Sequence, residues 1–297
     1  MTAPAHIGNF HFRQDLAPEI EIVPIADIYS RNKHILSIPH RCSFYHIIWV
    51  QKGTAMHHVD FTPVLLEPNS ILFIGKETVH WFDKFACYEG WLILFTDGFF
   101  SSTPDDTRFL HSTPVFNSLP DASLIHIKPA GNPFSELLKQ MIEEQQQAGD
   151  HRQRPILKNL LYNFLLFAER EIKKERPEPV RQLREFDNML LFKDLLEIYF
   201  RKEKSVTFYI KNLNITEKKL NYATSKLAGR TPKEIIDARV LLEAKRSLAF
   251  AYQSIKEICF ELGFDEPTNF IKFFRRHTGK TPMEYRLACY PSPEVAR

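Results

Sequence analysis

Slid along itself by fifty residues, this chain meets its own pattern. Gly229-Arg230-Thr231-Pro232-Lys233-Glu234 falls on Gly279-Lys280-Thr281-Pro282-Met283-Glu284, and Leu220 falls on Phe270. In each copy a short predicted helix ends at a turn, a second helix follows, and a Gly stops it before a Thr-Pro-x-Glu start. That start is a capping box with Pro at the first helical position, where its missing N–H costs nothing. A short helix, a tight turn and a second short helix form the shape that carries a recognition helix into the major groove. The repeat therefore predicts an all-α C-terminal part built from two such modules, at about 206–227 and 254–277.

The second copy carries a family resemblance. Ser254 to Phe264, then Asn269-Phe270-Ile271-Lys272-Phe273-Phe274-Arg275-Arg276, then Gly279 to Arg286, resemble the signature of the AraC/XylS family of bacterial transcription regulators. The resemblance runs from about Asp187 to Leu287, and Ala238 to Leu248 resembles the long helix joining the family's two modules. It implies a domain of seven helices over 187–290 that reads double-stranded promoter DNA and cooperates with RNA polymerase.

Charge points the same way. Residues 181–297 hold 22 Lys and Arg against 15 Asp and Glu, a net +7, while the remainder has 17 against 21, a net −4. The overall +3 thus conceals a basic C-terminal third, which counterion release from DNA requires. A length of 297 residues accommodates two cored domains, and 25 Phe suit packed interiors. No apolar run of ~20 residues appears. The N-terminus lacks the features of an export signal, and the four cysteines are scattered, with Cys259 on the apolar face of a predicted helix. These features predict a reduced, cytoplasmic protein.

From about Phe10 to Ile127 the pattern is one of short β-like runs. Phe44–Val50 reads as one strand, Gln51-Lys52-Gly53 as a turn, Thr54–Phe61 as the next strand, and Ser70–Ile74 and Gly90–Phe95 as two more. Such spacing suggests a small barrel or sandwich rather than βαβ units. The order resembles the cupin-like sensor domain common in the same family, here 1–132, with Pro39-His40, Gly53, Pro68 and Val79-His80 at matching places. From Pro133 the period becomes helical: Phe134, Leu137, Leu138, Met141 and Ile142 form one face, and Pro155 opens a second helix. Over this segment, 133–176, the broad apolar surface at Leu157, Leu161, Phe164, Leu165 and Ala168 predicts a helix pair that forms a homodimer interface as well as packing on the barrel. The charged, Pro-broken run from Lys173 to Pro179 opens a linker, placed at 177–186.

In the first module, Val206–Leu213 is the supporting helix and Asn214 the turn; Asn tolerates the left-handed conformation needed there. Thr216 caps a recognition helix over Glu217–Leu227, whose buried face is Leu220, Ala223 and Leu227. The resemblance puts Lys218, Asn221 and Tyr222 at base-facing positions, and Thr216, Lys219, Ser225, Lys226 and Arg230 are expected at the backbone. In the second module Asp265 is the expected cap, and Phe270, Phe273 and Phe274 form the buried face. Thr268, Asn269 and Lys272 then point outward, with Arg275, Arg276 and Lys280 near the phosphates. Amide and ammonium groups suit base edges.

Twelve histidines raise the question of a metal. The cupin enzymes' G-x5-H-x-H-x3-4-E pattern does not fit, because Gly53 is followed by adjacent His57-His58 and Glu67 lies too far on. Adjacent strand side chains face opposite sides, so only one of that pair can enter the barrel. No resident metal or cofactor is expected, and no nucleophile elbow, P-loop or dinucleotide fingerprint occurs. His40, Tyr45, His46, Trp49, His58, His80 and Trp81 are the candidate lining of an effector pocket, apolar walls with polar tips. The expectation is an effector-responsive, sequence-specific DNA-binding regulator, an activator and not an enzyme. The alternatives are a cupin-type metal enzyme with a helical assembly tail and a regulator controlled by a protein partner.

Overall fold

The computed structural model describes residues 8–12, 19–83, 87–117, 123–129, 131–147, 150–175 and 183–289. They fall into two compact units, one within Ile7–Pro179 and one within Val180–Arg297. None of the described helices is long and apolar enough to cross a membrane.

The first unit holds strands β1 (Gly8–Phe10), β2 (Ile20–Pro24), β3 (His40–Cys42), β4 (Tyr45–Val59), β5 (Thr62–Leu66), β6 (Ser70–Ile74), β7 (Val79–Phe82), β8 (Cys87–Phe95) and β9 (Ser123–His126). Helix α1 (Ile25–Leu36) follows β2; α2 (Asp97–Phe100), α3 (Pro104–Ser112) and α4 (Pro114–Asn117) follow β8; α5 (Pro133–Gln145) and α6 (Gln153–Glu175) close the unit. β4 belongs to two sheets. Its first half pairs with β6 and β8, its second half with β5 and β7.

The turn expected at Gln51-Lys52-Gly53 is instead a bulge within this one strand. Val50 opposes Gly90 and Lys52 opposes Glu89, leaving Gln51 as the extra residue, and Gly53 takes φ +78°. One extra residue bends the strand and inverts which side chains face inward beyond it. The close approach requires Gly90 opposite, since a Cβ there would lie 1.9 Å from the Trp49 carbonyl oxygen.

Two cores flank the β6–β4–β8 sheet. Ile48, Val50, Leu72, Ile74, Leu92 and Leu94 face the barrel interior with Leu66, Val64 and Phe82. Tyr45, Ile47, Trp49, Ile71, Phe73, Ile93 and Phe95 face outward against the helices. The uninterrupted apolar runs in these strands follow, because a sheet covered on both faces has no solvent side to alternate with. Gln145 of α5 seals the free edge of β2: its Nε2 donates to the Ile22 carbonyl at 2.9 Å, and its Oε1 accepts from the Ile22 N–H at 2.7 Å.

This covering layer takes the five residues expected at the dimer interface. Leu157, Leu161, Phe164, Leu165 and Ala168 are each 0 % exposed and belong to the core of the single chain. The wide apolar face of α6 is used up by the sheet, the short helices and α5, because the sheet offers it an equally wide outer face. Four helices, α1 to α4, also stand where the pattern predicts only strands. Their cues were local, as in α3, where Thr103 and Asp106 form a capping box and Pro104 opens the helix.

The second unit is all α: α7 (Leu183–Tyr199), α8 (Val206–Leu213), α9 (Glu217–Ala228), α10 (Pro232–Phe250), α11 (Ile255–Glu261), α12 (Pro267–Thr278) and α13 (Pro282–Cys289). Helix α7 begins at Leu183, inside the expected linker, and α6 runs on to Glu175; residues 176–182 lie outside the described residues. The core gathers Phe192, Tyr209, Leu220, Ile236, Val240, Leu248, Ile258, Phe270 and Phe274. Cys259 is buried among them, and the Leu227 side chain lies outside the described residues.

An ion network joins α7 to α10. Arg239 Nε donates to both carboxylate oxygens of Glu197 at 2.8 and 2.9 Å, and its guanidinium carbon stands 3.8 Å from the Phe200 ring centroid. Glu243 accepts from Arg201 at 2.7 Å and Arg239 at 3.2 Å, and lies 3.5 Å from Arg246.

Candidate nucleic-acid interface and sensor barrel

Each module in the second unit is set by its backbone caps. Asn214 ends α8 in the left-handed conformation, φ 51° and ψ 43°, which lets α9 leave at a sharp angle. Thr216 then accepts from the Lys219 N–H, and Gly229, also left-handed, stops α9. The Thr231–Glu234 capping box starts α10. In the second copy Ser254 and Glu257 box the start of α11, Gly263 turns with φ +67°, and Gly279 stops α12. Thr281 and Glu284 again bond reciprocally, at 2.7 and 3.3 Å. One expected cap is corrected. Glu266, not Asp265, is the N-cap of α12 and makes no side-chain cap bond; Pro267 opens the helix.

Both second helices bury one face and expose the other. On α9, Leu220 and Ala223 are buried, while Lys218 and Tyr222 are exposed and Asn221 is half-buried. Asn221 Nδ2 donates back to the Glu217 carbonyl at 3.1 Å, and Lys226 Nζ donates to the Tyr222 hydroxyl at 3.2 Å. On α12, Phe270 and Phe274 are 0 % exposed and Phe273 is half-buried, while Thr268, Asn269 and Lys272 are exposed. Thr216, Lys219, Ser225, Lys226, Arg230, Arg275, Arg276 and Lys280 are also exposed. Arg276 Nη2 lies 3.8 Å from Asp237 on α10.

The expected pocket residues in the barrel part into three groups. His40, His46 and His80 face the interior and are 1 %, 6 % and 1 % exposed. Tyr45 and Trp49 face the helix layer instead: Tyr45 stacks on Phe95, and Trp49 packs against Phe134 and Phe164. His58 and Trp81 stack on each other outside the interior, centroids 4.6 Å apart and nearly parallel. The interior place belongs to His57, 0 % exposed, because the bulge inverts the strand's phase.

Four imidazoles thus converge with one thiol. His40 and His80 are direct partners across β3 and β7, and Cys42 lies two residues along β3, on the same side. His57 Nε2 and His80 Nδ1 are 3.2 Å apart, Cys42 Sγ and His80 Nε2 are 3.9 Å apart, and the His46 and His80 centroids are separated by 4.7 Å. His40 Nδ1 bonds the Ile38 carbonyl at 2.9 Å. His40 Nε2, His46 Nδ1 and His57 Nδ1 are buried without hydrogen-bond partners. Burial keeps this cluster neutral. It pushes His46 down to about 3, with nearby His40 adding to the shift, and holds His57 and His80 well below the usual imidazole range with the neighbouring rings contributing. Burial also lowers His40 and, with Glu77 adding, raises the Cys42 thiol.

Two family models cover the chain in order. An AraC-like ligand binding domain matches residues 25–165, and a helix-turn-helix domain matches 209–288. The chain belongs to the AraC family of transcription regulators. It is similar to the HTH-type transcriptional activator RhaS of Citrobacter koseri, 22 % identical over 250 residues, covering 83 % of this chain and 86 % of the relative. RhaS of Escherichia coli (strain SE11) is 21 % identical over 253 residues, with the same coverage. Among solved structures, ToxT from Vibrio cholerae O395 is 13 % identical and covers 86 % of this chain and 92 % of its own, with a TM-score of 0.39.

This AraC-family chain is therefore an effector-responsive, DNA-binding transcription regulator. Its two barrel residues missed from sequence, Cys42 and His57, differ in how visible they were. His40-Arg41-Cys42 is a same-face pair on any strand, so Cys42 carried a usable signal. For His57 the alternation narrowed the choice to it or His58, and only the bulge decides between them.

Proposed function

We propose that this regulator is an activator that inserts α9 and α12 into successive major-groove segments, about 34 Å apart on one face of the duplex. The observation that carries the reading is the repeated design of the two helices, each burying apolar side chains on one face (Leu220 and Ala223, Phe270 and Phe274) and turning polar side chains near its N-terminus to the other. Lys218, Asn221 and Tyr222 on α9, and Thr268, Asn269 and Lys272 on α12, read base edges in this account. Thr216, Lys219, Ser225, Lys226, Arg230, Arg275, Arg276 and Lys280 hold phosphates. The protein acts without catalysis: it binds DNA as a homodimer, engages RNA polymerase and takes its signal in the barrel. The outer side of α6, where Ile156 and Leu166 remain 41 % and 40 % exposed, offers apolar surface for a second chain.

The test separates two kinds of contact. Asn221→Ala or Asn269→Ala should weaken the specific site by ~1–3 kcal/mol and relax preference at one base position. Arg275→Ala should weaken all sequences alike and reduce the salt slope by about one. Equal weakening of specific and random DNA by the Asn variants would remove the base-reading assignment.

A further inference from the structure

We propose that the sensor barrel binds one divalent ion of the zinc type through His40 Nε2, His80 Nε2 and Cys42 Sγ, and that this ion is its signal. The proposal rests on the reading of the barrel as the regulator's sensing domain and names what it senses.

Geometry is the first support. One donor atom from each of His40, Cys42 and His80 lies within 4.8 Å of the other two, and Cys42 Sγ is 3.9 Å from His80 Nε2. Zinc–nitrogen bonds of about 2.0–2.1 Å and zinc–sulfur bonds of about 2.3 Å put tetrahedral donors roughly 3.3–3.7 Å apart. A modest closure of the three side chains forms the site. The spacing suits an ion and is too small for a sugar or an aromatic acid to enter between the donors.

The outer hydrogen bonds are the second. Metal-ligating imidazoles engage their other nitrogen with a carbonyl or similar acceptor, which fixes the ring and its tautomer. His40 does so through Nδ1 to the Ile38 carbonyl, leaving a buried Nε2 without a partner. His80 Nδ1 bonds His57 Nε2; with the proton on His80, its Nε2 lone pair faces Cys42. His57 is thus a positioning residue. His46 packs its ring beside His80, centroids 4.7 Å apart, next to the three-donor group rather than in it.

Donor chemistry is the third. Imidazole and thiolate select zinc-like ions over the oxygen-seeking calcium and magnesium. On binding, the Cys42 S–H bond breaks, its proton passes to water, and the S–metal bond forms; nothing is oxidised or reduced. The set differs from the H-x-H and Glu pattern set against Gly53 and His57-His58, since it takes a thiol and two imidazoles from β3 and β7 and no carboxylate.

The experiment uses the reduced full chain. Zinc competition against a chromogenic chelator should give one ion per chain, and Co2+ in its place should show tetrahedral d–d absorption and a thiolate-to-metal charge-transfer band. Cys42→Ser should lose that band, and His80→Gln should bind zinc at least tenfold more weakly, with circular dichroism unchanged in both. His57→Gln should weaken binding about ten- to a hundredfold while keeping the band. A folded wild-type chain that gives no such band, or a band that survives in Cys42→Ser, overturns the site. A site that binds zinc while target-DNA affinity stays the same with and without it overturns the ion as signal. If a sugar or aromatic acid shifts thermal stability and DNA affinity while zinc does not, this proposal fails and the sensing barrel stands. If neither ion nor compound moves either quantity, the sensing reading itself falls.

Discussion

Leu161→Glu is expected to unfold the first unit. Leu161 is 0 % exposed, in the core shared by the outer sheet face, α5 and α6. Giving up the burial of this apolar side chain costs about 1.5–3 kcal/mol, and a buried carboxyl without a partner adds several more through desolvation. Together these exceed the ~4–5 kcal/mol beyond which a single change is exceptional. Chemical denaturation followed by circular dichroism should show the β signal lost while helical signal from the second unit persists. Asn163→Glu, at an exposed polar position on the same helix, should stay folded and move stability by no more than about 0.5 kcal/mol. A folded Leu161→Glu that merely changes its sedimentation from dimer to monomer would return Leu161 to an interface and contradict the core described above.

Glu243→Ala is expected to destabilise the second unit by about 3–5 kcal/mol, the usual cost of removing one member of a buried ion pair. The Glu243 side chain is 4 % exposed, and its carboxylate is shared by Arg201, Arg239 and Arg246, two of which are themselves nearly buried. Withdrawing it leaves buried positive charge and loosens α7 from α10, the helix that joins the two modules. Thermal melting should fall by many degrees, and specific DNA binding should be lost at temperatures where the parent chain is fully folded. Glu197→Ala, at a half-exposed carboxylate, should cost much less, because Arg239 keeps Glu243 at 3.2 Å. A Glu243→Ala chain as stable as the parent would mean that the network contributes nothing to holding these helices.

The second unit was legible because its rules are local. Gly229 and Gly279, the Thr-Pro-x-Glu boxes, and Asn214 at a left-handed turn each specify backbone from a handful of neighbouring residues. The one misplaced cap, Asp265 for Glu266, is an error of a single residue where Pro267 fixes the helix start without a side-chain bond.

The barrel was legible only as a class. Its strands were found, but which side each residue faces depends on what covers the sheet and on where the register slips, and both are tertiary facts. Tyr45 and Trp49 were drawn to a pocket because aromatic side chains suit one; the helix layer claims them instead. One residue of bulge at Gln51 exchanged His58 for His57. Leu161 and its neighbours looked like surplus apolar area because the outer sheet face that uses them comes from strands far away in sequence.

The central claim is that one chain reads DNA with two helices of repeated design. The most direct measurement is selection of genomic fragments by the purified full chain at about 0.15 M salt, the physiological range, with bound DNA sequenced. The account predicts enrichment of discrete fragments sharing a motif of two elements whose centres lie about 10 base pairs apart. Substituting Asn221 should degrade one element and substituting Asn269 the other. Uniform recovery of fragments, or a single element unaffected by either substitution, would contradict it.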